Sequence, residues 1–378
     1  MKSLSKKTFS LFAATFLSAA LAFSNSGAEI LTSVLKGKDI FSIPLSAALA
    51  GQELFSATVE ANAKVDAEDP YRVSYDHKGP SGEAEYFKEI WAYLLDGNFD
   101  NYKSDMTITD LCIFSADINS YGEINRIPDL SKVKDYNGRK HLVVTSQSLS
   151  LTHFVLDPSF GLRDKIINVL VDACDNKGYD GIQIDFELIP QRDKNNFINF
   201  LAATREAIGQ ERWFSVAVPA RTKTLSDDIF NYKKIAENCD RLIIMAYDEH
   251  WSGGNPGPVA STDWCRNVAN YAVSQLPQKK IIMGLPFYGR TWTDKNLAKA
   301  WFFSGIMRNI NENGVTEVGR EKGVPYFSYE TNVKVTAYFD DTYSLVSKMR
   351  MYKEKKIERI AFWCLGQEDP DIWNWVRH

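Results

Sequence analysis

The sequence has few of the residues that hold metals or build disulfide frameworks. Its 378 residues include five cysteines, an odd number, and no two of them lie close together in the chain. Cys112 and Cys364 lie in apolar, strand-like runs ("DLCIF" and "AFWCLG"), where a thiol usually packs as a small buried hydrophobe. The five histidines are scattered, without ligand spacing. We therefore predict no disulfide scaffold, no metal site and no cofactor.

The sequence also lacks a block of basic residues beyond its first positions. The apolar and charged fractions, 44% and 24%, are those of a soluble globular chain, and the formal net charge is −4. A surface that binds a polyanion usually shows clustered lysine and arginine. The net charge therefore argues against a polyanion-binding surface, and we predict no nucleic-acid partner.

No apolar run is long enough for a membrane-spanning helix. The N-terminal run "FSLFAATFLSAALAF" (9–23) has 15 residues, whereas a spanning helix needs about 20. It follows three lysines within residues 2–7 and precedes small residues at Ser26 and Ala28, which is the layout of a secretory signal peptide. We expect cleavage after Ala28, with an uncleaved anchor as the alternative. The mature protein would be secreted, periplasmic or at the cell surface, without a membrane contact, and its charge would change from −4 to −7.

From about residue 87 the chain alternates short apolar runs with amphipathic segments. Four segments have helical patterns: 163–178, 192–209, 226–239 and 340–356. Eight runs have the character of strands: 89–95, 110–116, 141–146, 181–187, 214–220, 241–248, 280–289 and 359–366. Eight strands alternating with helices predict an α/β fold, a closed (β/α)8 TIM barrel of about 250 residues. The rival is a doubly wound sheet, but "WAYLLDGNFDNY" after the first strand lacks a glycine-rich phosphate fingerprint.

The spacing of these runs also predicts the domain boundaries. The seventh and eighth strands are far apart, so we interpret 291–335 as a small insertion between strand 7 and helix 7 of a barrel domain over 87–378. Residues 29–86 are turn-rich with weak patterns, and we interpret them as an N-terminal extension or linker without an assigned function.

The run "YDGIQIDFELIP" (179–190) places two acids in an apolar strand. Side chains alternate along a strand, so Ile182, Ile184 and Phe186 would face the helices. Gly181, Gln183, Asp185 and Glu187 would point into the barrel, with Glu187 nearest the carboxyl-end mouth, where barrel active sites lie. Residues two apart on a strand are separated by about 6.6–6.8 Å, so both acids could reach one substrate ring. The alternative is a structural ion-pair network, although this strand has no adjacent lysine or arginine.

Four motifs resemble those of one family. "DGIQIDFE" resembles the strand-four signature D-G-x-D-x-D-x-E of glycoside hydrolase family 18, the chitinase family. "IIMAYD" (243–248), "GLPFYGR" (284–290) and "AFWCLGQEDP" (361–370) resemble its motifs on strands six, seven and eight. "YDEHWSGGNPGPVAS" (247–261) resembles the bacterial branch that acts on cell-wall or extracellular aminosugar polymers.

The resemblance implies a retaining, substrate-assisted mechanism. Ordinary retaining glycosidases place a nucleophile and an acid about 5–5.5 Å apart on opposite sides of the bond, an arrangement that two carboxylates in series on one strand suit poorly. By resemblance, Glu187 would protonate the leaving oxygen while the substrate's own 2-acetamido carbonyl attacks the anomeric carbon. Asp185 would hold the acetamido N–H, and Tyr247 would donate its hydroxyl to the acetamido carbonyl.

The resemblance also implies a set of substrate-binding residues. Trp363 would form the apolar floor under the sugar, because sugar rings have apolar faces. Further expected substrate contacts or site-ordering residues are Gln183, Asp248, Met245, Tyr288 and Arg290. Tyr93, Trp251 and Trp292 are candidate subsite walls, with core packing as the alternative for each.

Two departures from the family pattern affect Asp185. Gln183 stands where the family usually has its first aspartate, which removes a charge but keeps hydrogen-bonding ability. The family's strand-three S-x-G-G motif is missing, and "HLVVTSQSLS" offers only Ser146 or Ser148 as polar support for Asp185. We therefore expect slower activity or a shifted pH optimum.

Three functions are compatible with these features. The first is a monomeric, secreted glycosidase that cleaves β-1,4 bonds next to N-acetylglucosamine in chitin-like chains or peptidoglycan. The second is a non-catalytic lectin on the same barrel, although Glu187 is retained. The third is a metal-dependent hydrolase with Asp185 and Glu187 as ligands, against which the lack of nearby histidine argues.

Overall fold

The computed structural model describes residues 79–119, 121–293, 298–330 and 334–378. The predicted signal peptide (1–28) and most of the predicted extension (29–86) therefore lie outside the described residues. Among the residues that are described, no helix is both long and apolar enough to cross a membrane.

The described residues form strands and helices in alternation. The strands are β1 (Glu85–Tyr86), β2 (Glu89–Leu95), β3 (Asp110–Asp117), β4 (Arg139–Thr145), β5 (Gly181–Asp185), β6 (Trp213–Pro219), β7 (Arg241–Met245), β8 (Ile281–Pro286), β9 (Tyr288–Thr293), β10 (Lys299–Phe302), β11 (Gly319–Glu321), β12 (Val324–Glu330), β13 (Lys334–Tyr338), β14 (Arg359–Trp363) and β15 (Val376–Arg377). The α-helices are α1 (Leu149–Leu156), α2 (Leu162–Asn176), α3 (Lys194–Ile208), α4 (Tyr232–Ala236), α5 (Thr262–Gln275), α6 (Phe303–Glu312) and α7 (Thr342–Glu354). Short 3₁₀ helices cover Phe99–Asn101, Leu130–Val133, Pro158–Phe160, Gln191–Asp193, Gln278–Lys280 and Pro370–Asn374.

Eight parallel strands close into a barrel, which confirms the predicted fold class. The order around the barrel is β14-β2-β3-β4-β5-β6-β7-β8, and each strand of this series is hydrogen-bonded to its neighbours. All eight strands correspond to the apolar runs identified in the sequence. Because all the strands are parallel, their carboxyl ends meet at one rim, where side chains that follow different strands come together.

The barrel has an apolar shell outside its wall and an apolar filling inside it. Ile182, Ile184 and Phe186 of the β5 segment are buried in the large cluster that joins the strands to the helices, as alternation predicts. The interior cluster is Trp91, Tyr93, Cys112, Val143, Ala217, Ile243, Ile282, Ala361 and Cys364. All five cysteines are buried and free, so none forms a disulfide.

The insertion between β8 and α7 is a five-stranded antiparallel sheet. Its strand order is β10-β9-β13-β12-β11, and α6 packs on it. The sheet runs from Tyr288 to Tyr338, a few residues beyond both ends of the predicted range of 291–335. The first strand of the sheet begins within the "GLPFYGR" motif, so the insertion starts at the rim of the barrel mouth.

The predicted helix over 226–239 is mostly wrong. Only α4 (Tyr232–Ala236) is helical, and its N-cap is Asn231 rather than Ser226. Asp227 has a left-handed backbone (φ 55°), and Asp228 accepts hydrogen bonds from Arg221 and from the Phe230 N–H. Asp227 also accepts hydrogen bonds from Gln191 and Lys194 of another segment, and these contacts together hold the residues before Asn231 in a loop.

Part of the predicted linker packs on the barrel domain. β1 pairs in parallel with β15 near the end of the chain. Arg350 on α7 forms an ion pair with Glu85 at 2.9 Å and donates a hydrogen bond to the Ser81 carbonyl. The barrel domain therefore includes residues that precede residue 87.

Candidate active site

The two acids of the opening motif lie where β5 reaches the mouth of the barrel. Asp185 is the last residue of β5 and is buried, with 7% of its surface exposed. Glu187 follows two residues later, beyond the end of the strand, and its side chain is exposed to solvent. Alternation therefore places one carboxyl within the barrel and the other above it at the rim.

Both carboxyl groups have a raised pKa. Burial raises the pKa of Asp185 well above its usual value, and the charge of Glu187 raises it further. The pKa of Glu187 is also raised, first because the walls of the mouth displace bulk water around it and then by the carboxylate of Asp248. A raised pKa is what a general acid requires, because the group must carry its proton at the pH of the reaction.

One oxygen of Asp185 has no hydrogen-bond partner. Its Oδ1 atom is buried and makes no hydrogen bond within the described residues. Buried polar atoms are nearly always paired, so an unpaired one at a barrel mouth is typical of a site that a ligand completes. Ser146 and Ser148 do not support Asp185: Ser146 accepts a hydrogen bond from Thr152, and Ser148 caps α1 through the Leu151 N–H. Of the two serines that the sequence offered, neither is therefore the polar support of Asp185.

Tyr247 and Asp248 follow β7 at the same rim. Burial raises the pKa of the Tyr247 hydroxyl far above its usual value, and the charges of Asp185, Glu187 and Asp248 raise it further. Tyr247 therefore keeps its proton and can donate a hydrogen bond. Met245 ends β7 and is partly exposed.

The first strand of the inserted sheet supplies two side chains that hold Asp248 in place. The Tyr288 hydroxyl donates to its Oδ1 atom at 2.6 Å, and Arg290 donates to both carboxylate oxygens at 2.8 to 3.0 Å. Tyr288 is buried and the Arg290 side chain is largely covered. Both residues therefore orient Asp248, and Tyr288 has little surface left for direct contact with a substrate.

Trp363 ends β14 and forms an aromatic cluster in the mouth. Its ring lies 5.2 Å from the ring of Tyr93 and 4.8 Å from that of Phe114, edge to face in the second case. Trp363 is only partly buried, whereas Tyr93 is 3% exposed. Trp363 therefore offers the exposed aromatic surface, and Tyr93 supports it from below, which corrects the expectation that Tyr93 is a subsite wall.

Gln183 is wholly buried inside the barrel. It accepts a hydrogen bond from the Tyr93 hydroxyl at 2.5 Å and donates one to the Ser215 hydroxyl at 3.1 Å. Both ends of its amide are thus used by neighbouring strands, and no hydrogen bond to Asp185 is recorded among the described residues. The prediction of direct substrate contact by Gln183 is wrong because the side chain has no exposed surface.

The two other tryptophans differ in exposure. Trp251, in the loop after β7, is 46% exposed. A Cβ atom at Gly253 would come within 2.5 Å of Trp251 Cζ3, so the indole ring lies against glycine backbone. Trp292 is buried on the insertion sheet, edge to face with Tyr338 at 6.1 Å. It is a core residue, which corrects its assignment as a candidate wall.

The sequence analysis missed a polar group at the ends of β3 and β4. Asp117 accepts hydrogen bonds from Ser115 at 3.0 Å, from Thr145 and, at 3.5 Å, from Gln147. Thr145 pairs with Asp185 in the barrel register. In the sequence, the small polar residues directly after the apolar run "DLCIF" could have indicated this polar group.

A closed eight-stranded barrel with two acids at its mouth has the architecture of a glycosidase. Comparison with known proteins identifies the family. The family model described as glycosyl hydrolases family 18 matches residues 97–368. The chain belongs to this family, as its four motifs indicated.

Individual relatives agree with this assignment. The chain is 26% identical over 293 residues to the cortical fragment-lytic enzyme of Bacillus anthracis, a match that covers 70% of this chain and 66% of that protein. The structure of the Bacillus cereus spore cortex-lytic enzyme SleL has a TM-score of 0.70 at 23% identity, covering 78% and 75% of the two chains. A family 18 chitinase from Cycas revoluta in complex with (GlcNAc)4 has a TM-score of 0.62 at 17% identity, covering 76% and 97%. The chain thus spans just under two thirds of the Bacillus anthracis relative, and the two structures show the fold alone.

Proposed function

We propose that the protein is a glycosidase that cleaves β-1,4 bonds next to N-acetylglucosamine with retention, by substrate-assisted catalysis. The observation that carries the proposal is the pairing of buried Asp185, which has an unsatisfied oxygen, with Glu187 at the same rim, both carboxyl groups having a raised pKa. The protein would act outside the cytoplasm, after removal of the signal peptide.

In the proposed mechanism Glu187 gives its proton to the glycosidic oxygen as that bond breaks. The carbonyl oxygen of the substrate's 2-acetamido group forms the new bond to the anomeric carbon, giving an oxazolinium ion. Tyr247 donates a hydrogen bond to that carbonyl, and Asp185 accepts one from the acetamido N–H through its free oxygen. Water then opens the ion after giving a proton back to Glu187. Positioning of this kind can contribute several kcal/mol to catalysis.

The substrate class is a glycan with 2-acetamido sugars, either peptidoglycan or chitin-like chains. A relative named as a cortical fragment-lytic enzyme favours a bacterial glycan of the cortex type. Mass spectrometry of the products from purified peptidoglycan and from chitin oligomers, digested side by side, would separate the two.

Replacing Glu187 by glutamine is the direct test of the acid. We expect Glu187→Gln to lower kcat on N-acetylglucosamine oligomers by about 100- to 10,000-fold, the usual contribution of a general acid, while binding measured by calorimetry is retained. The exposed Glu211→Gln substitution is a charge-matched control. If wild type and variant both bind without cleaving, the lectin alternative is correct.

The substrate-assisted step has a separate test. Oligomers in which the 2-acetamido group is replaced by hydroxyl lack the attacking carbonyl, so we expect no turnover of them by the wild-type protein. Turnover at the rate of the parent compound would mean that a protein side chain is the nucleophile.

A further inference from the structure

A second concave site lies at the end of the barrel opposite the mouth. A cavity of about 470 Å³ opens beside the residues that precede or begin three barrel strands. Lys88 precedes β2, Lys279 lies just before β8, and Arg359 begins β14. These positions are at the amino ends of the strands, far from the carboxyl-end rim that carries Asp185. We call this cavity the floor pocket.

The floor pocket is lined mainly by cations. It has one acidic residue, Glu358, and five basic residues: Lys88, Lys279, Lys353, Lys356 and Arg359. They come from three separate segments of the chain. The excess of positive charge is local, because the whole chain carries a net charge of −4.

Most of this positive charge has no compensating carboxylate. Lys88 pairs with Glu358 at 2.7 Å, and Arg359 pairs with Glu89 at 2.9 Å. The Lys353 ammonium group donates to the Tyr86 backbone carbonyl instead. Lys279 and Lys356 form no ion pair with any acid in the described part of the chain. Three lysine charges therefore meet in one depression without an ion-pair partner among the described residues.

The backbone at Lys356 gives an independent reason to assign its side chain a role. Lys356 follows the C-cap of α7 and has a left-handed conformation with φ 59°. Glycine is the usual residue at this position because it has no Cβ penalty there. A lysine at such a position accepts backbone strain, which is consistent with a function for its charge.

The opposite ends of the barrel differ in charge. The mouth gathers the acidic residues Asp185, Glu187 and Asp248, and Arg290 beside them is paired with Asp248, so the mouth offers little attraction to a polyanion. The floor pocket would attract one, and its free ammonium groups are compact point charges of the kind that bind phosphate. Because the pocket is concave, it fits a narrow chain better than the flat surface of a bilayer.

We propose that the floor pocket binds a linear, phosphate-bearing polyanion. Such binding would hold the protein on a charged polymer while the mouth, at the other end of the barrel, stays open to a neutral glycan. This binding site is independent of the proposed hydrolysis, so either proposal can fail without the other.

Titration of the full chain with inorganic polyphosphate tests this proposal. We expect binding that weakens as salt is raised, because counterions compete for the lysines. The Lys279→Gln/Lys356→Gln variant should bind more weakly by about fivefold for each lysine removed. The control Lys165→Gln/Lys223→Gln removes the same charge at exposed positions elsewhere and should bind within about twofold of wild type.

A glycine at position 356 separates a role in binding from a role in folding. Lys356→Gly removes the charge and relieves the left-handed strain, so the melting temperature should stay equal or rise while polyphosphate affinity falls. Hydrolysis of N-acetylglucosamine oligomers should be unchanged in all these variants. Absence of polyphosphate binding, an equal loss in the control, or binding only to phosphatidylglycerol vesicles would each overturn the proposal.

Discussion

At the scale of single residues, Asp185 combines burial with an unpaired oxygen. A buried carboxyl group whose pKa is raised destabilises the folded state once the pH exceeds the pKa of the unfolded chain, about 3.9 for aspartate. Above that pH the native protein binds more protons than the unfolded chain, so its stability falls as pH rises towards the folded pKa. This loss is a structural cost of keeping a functional acid in the barrel.

Replacing Asp185 by asparagine should remove this cost. We expect the melting temperature of Asp185→Asn to rise relative to that of wild type as the pH increases above about 4, because burial and Glu187 raise the pKa of the native carboxyl group. Thermal unfolding at a series of pH values measures the difference. A difference that stays constant with pH would show that Asp185 is ionised in the folded protein.

Alternation along the strand predicted which way these residues point, but not what they touch. Gln183 was expected to face inward, and it does. Its partners Tyr93 and Ser215 come from β2 and β6, which are distant in sequence and adjacent only around the closed barrel. Sequence periodicity reports the face of a strand, and only closure of the sheet decides which side chains share it.

At the scale of elements, the loop after β7 holds the exposed ring of Trp251 beside Gly253 and Gly254. A Cβ atom at Gly253 would collide with the outer edge of the indole ring, whereas one at Gly254 would be at least 3.4 Å from any other atom. The ring edge can move aside, so a methyl group at residue 253 should displace the exposed ring without disturbing the core.

Gly253→Ala should therefore weaken binding of long substrates more than it affects stability. We expect KM for N-acetylglucosamine oligomers to rise by about threefold to tenfold, with kcat and melting temperature nearly unchanged. Gly254→Ala is the matched control and should leave KM as it is. Equal effects of the two substitutions, or none from either, would mean that Trp251 is not a subsite wall.

Elements were predicted well where their pattern was periodic and poorly where tertiary contacts compete with it. The segments that became α2, α3 and α7 have apolar stripes that bury against the barrel. Residues 226–231 have a helix-start pattern, but Asp227 has a left-handed backbone and accepts hydrogen bonds from Gln191 and Lys194 of another segment, which hold a loop there. Local sequence cannot reveal a partner that another segment supplies.

At the scale of the whole molecule, Glu89 joins strands across the floor of the barrel. It accepts hydrogen bonds from Arg241 on β7 and Arg359 on β14, and from the Trp91 indole. Burial alone would raise the pKa of Glu89, but the two arginines more than offset it and hold the pKa below its usual value. The stabilisation from Glu89 is therefore present at neutral pH and is lost as pH falls through its folded pKa.

Glu89→Gln should destabilise the entire barrel. Removing the carboxylate leaves two largely buried arginines without it, and breaking a buried pair costs about 3–5 kcal/mol. Denaturant unfolding at pH 7 measures this loss, which should shrink at acid pH. Glu358→Gln, which breaks the exposed pair with Lys88, is the control and should cost about 0–1 kcal/mol. Similar losses in both variants would contradict a special role for the floor network.

The sequence by itself determined the barrel, the family and the strand that carries the two acids, because strand periodicity and motif order are local properties of the chain. Only the tertiary structure decided that Trp292 and Tyr93 are covered, that Asp248 is held by Arg290, and that lysines from three segments meet in a floor pocket. Net charge predicted no polyanion surface, but it is a sum over the chain. Binding depends on where charges lie in space, and folding alone sets those distances.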